Sequence, residues 1–64
     1  MKVFRWIDIR RDNAVCEYRF TDKGKFIGFF VDDVKKESVS VVRTLDNQVI
    51  EALREGGFIL VRNK

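Results

Sequence analysis

Asp12-Asn13-Ala14-Val15-Cys16-Glu17-Tyr18-Arg19-Phe20-Thr21-Asp22-Lys23-Gly24 sets an alternating segment between two turn signals. Its middle alternates: Ala14, Cys16, Tyr18 and Phe20 on one side, Val15, Glu17, Arg19 and Thr21 on the other. A period of two over residues 14–21 is the signature of a strand with two unlike faces. Both ends carry turn chemistry. Asp12 and Asn13 tolerate positive φ, and Gly24 supplies a left-handed residue after Thr21-Asp22-Lys23. A strand bounded by two turns needs neighbours on both sides. Residues 2–11 read as the preceding strand and residues 25–31 as the following one, so the N-terminal half is expected to be a three-stranded antiparallel meander.

Further along, the pattern changes. Asp32 to Ser38 is polar and reads as a loop, and Val39-Ser40-Val41-Val42-Arg43 is β-branched and favours a short strand. The same region also fits a helical stripe through Val34, Val41, Val42, Leu45 and Val49. From Leu45 to Glu55 the spacing predicts a helix, with Leu45, Val49, Ile50 and Leu53 on one face. Thr44 or Asp46 can cap it, and Gly56-Gly57 stops it. Phe58-Ile59-Leu60-Val61 is a continuous apolar run and reads as an interior strand. The expected class is α+β: a small, mostly antiparallel sheet with one helix around 45–55 packed on one face.

Composition narrows the chemistry. The 64 residues are expected to form one small domain with a thin core. There is no histidine and one cysteine, which removes the commonest general base, His-paired nucleophiles and an internal disulfide. No metal, cofactor or catalytic role is expected. No apolar run approaches a membrane span, and Met1 to Arg5 lacks a leader's apolar stretch, so a cytoplasmic location is expected. Asp32-Asp33 reads as loop rather than as a metal pair, and Cys16 as a small buried hydrophobe.

Charge and aromatic rings are skewed together. The net charge of +3 resides in residues 1–31, which hold seven basic and four acidic residues; residues 32–64 hold six of each. Seven of the eight aromatic residues lie in that first half. A two-residue turn at Asp12-Asn13 would set Arg11 across from Ala14. Ile9 then faces Cys16, Ile7 faces Tyr18 and Arg5 faces Phe20. On the other face, Trp6 meets Arg19 in a cation–π pair, Asp8 meets Glu17 and Phe4 meets Thr21. A three-residue second turn adds Ile27, Phe29 and Val31 to that face; a two-residue turn adds Phe26 and Phe30 instead. One helix of about ten residues, roughly 15 Å long, covers only one side of the sheet. The second, aromatic and basic face is therefore the expected contact surface, with Phe4, Trp6, Arg10, Arg19, Lys23, Lys25 and Phe29 as its residues.

Lys23-Gly24-Lys25-Phe26-Ile27-Gly28-Phe29-Phe30-Val31 resembles the Lys/Gly/Phe strand motifs of RNA-recognition and cold-shock domains, in which rings stack on bases and flanking cations meet phosphate. Lys25, Gly28 and Phe29 fit the octapeptide of the former. Phe26 stands where it has glycine, Asp32 where it has an aromatic residue, and the strand order differs. Two functions follow as expectations. The first is a non-enzymatic protein-interaction module that regulates or inhibits a larger partner, or pairs with itself. The alternative is a single-stranded nucleic-acid binder using the same face.

Overall fold

The computed structural model describes residues 1–36 and 44–63. It is an α+β fold: β1 (Lys2–Asp8), β2 (Ala14–Phe20), β3 (Phe26–Val31), β4 (Val34–Lys36), α1 (Asn47–Glu55) and β5 (Ile59–Asn63). The strands form one antiparallel sheet in the order β4-β3-β2-β1-β5. The first four make a meander. The chain then passes through α1 and returns β5 to the outer side of β1. The expected strand or helix over 39–43 lies outside the described residues.

The first hairpin departs from expectation, and the departure sets both faces of the sheet. β1 ends at Asp8, and Ile9–Arg11 forms a 3-10 turn instead of continuing the strand. The Asp8 carboxylate accepts a hydrogen bond from the Arg10 backbone N–H at 3.1 Å and so caps that turn. Asp12 and Asn13 are left-handed, with φ of 55° and 59°, but they close a longer loop that sets Asp8, not Arg11, opposite Ala14. The register has slipped by three positions. An odd slip moves every side chain of β1 to the other face relative to β2. Trp6 now pairs with Cys16, Phe4 with Tyr18, Arg5 with Glu17 and Val3 with Arg19. The physical reason is charge sorting. The two-residue turn would have pressed Arg5 against Phe20, whereas this register gives Arg5 a carboxylate and gives Phe4 an aromatic neighbour.

The later turns follow local chemistry. Thr21 and Lys25 exchange hydrogen bonds, with Thr21 N–H donating to the Lys25 carbonyl at 2.8 Å and Lys25 N–H to the Thr21 hydroxyl at 3.0 Å. Gly24 takes φ of 85° between them. A bulge at Arg19/Phe20 then lets Phe26 face Phe20 while Phe29 faces Tyr18 and Val31 faces Cys16, so all three share the Trp6 face. Phe30 stands opposite Glu17 on the other face. Asp32 and Asp33 have φ of 50° and 67°, the two left-handed residues of a primed hairpin turn, and Val31 pairs with Val34 across it. The expected loop over 32–38 thus contains a short strand.

The helix follows its sequence signals. Asp46 is the N-cap, accepting from the Val49 N–H at 2.9 Å. At the other end Gly57 N–H donates to the Arg54 carbonyl and Phe58 N–H to the Leu53 carbonyl, with Gly57 at φ of 91°. This is a Schellman stop, and it drops Phe58 onto the core. Phe4, Phe20 and Leu53 form the buried centre, and Tyr18, Phe26, Leu45, Val49, Ile50 and Phe58 pack around them. Asp46→Ala leaves the first-turn N–H groups unsatisfied and is expected to cost about 1 kcal/mol. An unchanged urea midpoint would show that this cap adds nothing.

β5 corrects a second expectation. Its apolar run reads as interior, yet among the described residues no strand lies beyond it, and Ile59, Leu60 and Val61 are exposed by 64%, 43% and 40%. An apolar run marks affinity for a sheet. It does not say whether a further strand lies beyond.

Candidate functional site

The residues expected to share one face are divided among four places. Phe4 is 2% exposed and sits edge-to-face on Phe20, ring centres 6.0 Å apart, beneath the helix. Phe29 lies on Tyr18 at 4.8 Å on the same side. Trp6 belongs to this face too, but it lies beyond the C-terminal end of α1. Its ring contacts Phe58 at 5.9 Å, and a Cβ on Gly57 would come within 3.2 Å of it. Lys23 and Lys25 are exposed at the second turn, and Arg10 is exposed at the opposite end of the sheet. Arg19 is on the back of the sheet, so its cation–π partner is Phe30, 3.9 Å from the guanidinium, and not Trp6.

The back face is organised by a residue the sequence reading left out. Glu17 is 5% exposed, and the expected facing pair with Asp8 is replaced by a double arginine clasp. Arg5 Nε and Nη2 both reach Glu17 Oε2 at 2.7 Å. Arg19 Nε and Nη2 reach Oε1 at 2.9 and 2.7 Å. Arg19 Nη2 also holds Asp33 at 2.6 Å. Burial pushes the Glu17 carboxyl up, but the hydrogen bonds and charges of Arg19 and Arg5 outweigh it, and the net shift is downward. Burial pushes the Arg19 guanidinium down, and Glu17 and Asp33 reverse that to a net rise. The signal in the sequence was a glutamate flanked at i+2 by Arg19, with Arg5 one strand away; only the register showed that the three meet. This chain lines a cleft of about 440 Å³ with Val3, Val61 and Arg62.

Cys16 is buried, as expected. Burial, Asp8 and Asp32 raise its thiol, against Arg11, which lowers it, and a raised thiol is a poor nucleophile. Among the described residues no three His, Cys, Asp or Glu side chains are placed to hold a metal ion. No described helix is long and apolar enough to cross a membrane.

The exposed apolar side chains come mainly from two paired strands and the turn after β1. Among the described residues eight large hydrophobic side chains are exposed, and six of them lie on or beside β1 and β5: Trp6, Ile7, Ile9, Ile59, Leu60 and Val61. Ile9 is the most open, at 79%. It sits in the 3-10 turn and lines a groove with Trp6, Ile7, Asp8, Arg10 and Arg11. Against known proteins, the chain matches no family model, no curated protein and no solved structure.

Proposed function

We propose that this protein is a non-catalytic protein-interaction module that regulates a larger partner through the corner formed by β1, the 3-10 turn and β5. The observation that carries this reading is that Trp6, Ile7, Ile9, Ile59, Leu60 and Val61, six of the eight exposed large hydrophobic side chains among the described residues, come from the paired strands β1 and β5 and the turn between β1 and β2. Single exposed apolar residues need no explanation, whereas Trp6, Ile7 and Ile9 lining one groove beside Arg10 and Arg11 have the composition of an interface centre. Trp6 adds an aromatic anchor, and Arg10 and Arg11 form part of the rim. Glu17, the most sheltered carboxylate among the described residues, is engaged by Arg5 and Arg19. The nucleic-acid alternative loses its stacking platform, because Phe4 and Phe29 pack with Phe20 and Tyr18 on the helix side. Lys23 and Lys25 lie at the far end from Arg10.

The reading is tested by affinity capture with the wild-type chain, with Ile9→Asp and Trp6→Ala, and with Glu51→Lys on the exposed side of α1 as a control. A protein retained by the wild type and the control but lost with Ile9→Asp and Trp6→Ala is the expected outcome. Retention by all four would place the contact elsewhere.

A further inference from the structure

The two edges of the sheet are unlike. β4 is three residues long and carries Lys35 and Lys36, the short, charged design that discourages further pairing. β5 is five residues long, begins Ile59-Leu60-Val61, and has no strand beyond it among the described residues. Its outer backbone N–H and C=O groups are a template for another strand. A bulge opposite Val3/Phe4 turns Val61 and Arg62 to the same side, and both line the cleft on the back of the sheet.

The charges around this edge indicate what it takes. β5 runs antiparallel to β1, so Ile59 faces Arg5, nearer the 3-10 turn, and Arg62 faces Val3 at the other end. Arg10 and Arg11 therefore lie beyond one end of the strand and Arg62 stands at the other. The side chains of Arg10 and Arg62 make no ion pair among the described residues, and Arg11 makes only a long one, 3.7 Å, with Asp8. A second copy pairing through β5 about a two-fold axis would send its Arg62 toward Arg10 and Arg11, setting like charge on like. An extended segment with an apolar middle and acidic ends would place carboxylates there instead. Resting on the interaction reading above, we infer that β5 accepts by strand addition an extended, acid-flanked apolar segment of a partner protein, its side chains over Ile59, Leu60 and Val61 and its carboxylates on Arg62 and the Arg10-Arg11 pair.

The test uses the full chain and three synthetic peptides: Glu-Val-Thr-Val-Thr-Val-Glu, the same peptide with lysine for both glutamates, and the acidic peptide N-methylated at alternate residues. Backbone amide shifts of β5 and Trp6 fluorescence report binding. The expected result is saturable, salt-sensitive binding of the acidic peptide, at least about tenfold weaker binding of the lysine peptide, and loss with the N-methylated one, which keeps the side chains but lacks donors. Arg62→Glu should narrow the preference for the acidic peptide while keeping the fold, since Arg62 makes no ion pair among the described residues and Arg10-Arg11 remain at the other end. Equal binding of the N-methylated peptide, or no binding of any peptide, would overturn strand addition. So would a concentration-dependent dimer abolished by Ile59→Lys, which would make the occupant a second copy. Peptide failure while capture stays sensitive to Ile9 and Trp6 overturns this inference alone. Peptide failure with capture indifferent to both removes the interaction reading as well.

Discussion

Phe20→Ala is expected to leave the chain largely unfolded or on the margin of unfolding. Phe20 is fully buried, at 0% exposure, and its ring meets Phe4 at 6.0 Å and Phe26 at 5.6 Å. Truncating a buried phenylalanine costs about 3–5 kcal/mol, part transfer and part residual cavity. A chain of 64 residues has roughly 3–10 kcal/mol in total. Among the described residues the fully buried rings, Phe4 and Phe20, lie in this one layer beneath the helix, so little offsets the loss. The measurement is a thermal melt by far-ultraviolet circular dichroism beside the wild type. A midpoint lower by about 15 °C or more, or no cooperative transition, is expected. A drop of a few degrees would mean that the helix and sheet close over the gap. Phe20→Leu keeps most of the volume and should fall between the two.

Glu17→Gln is the second large effect, and it acts through charge. Glutamine keeps the size of the side chain but leaves Arg5 and Arg19 sharing a neutral amide. Losing hydrogen bonds between charged groups at a buried carboxylate costs about 1.5–3 kcal/mol. The fuller cost of about 3–5 kcal/mol seen for buried pairs does not apply, since the Arg5 side chain is 43% exposed and water can take up its charge. The effect has a pH signature. The folded-state pKa of Glu17 is lowered. Its contribution is therefore complete above its unfolded value, about 4.3, and is lost as the pH falls through the lower folded value. Urea midpoints of wild type and Glu17→Gln should differ most near neutral pH and converge in acid, below about pH 4. A difference that persists undiminished at low pH would show that shape rather than charge makes Glu17 matter.

Much of the local architecture was legible before any coordinates. The alternation of residues 14–21, the aspartate before α1 and the glycine pair after it act over a few residues, and each is seen where it was read. The candidate site was not legible in the same way. Phe4, Trp6 and Arg19 looked like one face because Asp12-Asn13 looked like a complete turn. Asp8 caps a 3-10 turn instead, and the longer loop goes with a register in which β1 is inverted relative to β2, giving Arg5 a carboxylate and Phe4 an aromatic neighbour. Glu17 was visible as a charge on a strand but not as the centre of a clasp, since its partners come from a register and a hairpin that no local pattern encodes.

Local signals carried the α+β class, the meander, and the C-terminal stop and apolar stripe of the helix, because periodicity and glycine stops are local in origin, while the helix begins at Asn47, two residues after Leu45. The tertiary structure alone decided which rings form the core, that Arg5 and Arg19 close on Glu17, and that β5 has no strand beyond it among the described residues, with its apolar run exposed. Those outcomes depend on strand register and strand order. These are chosen by the competition between burying rings and pairing charges across the whole sheet.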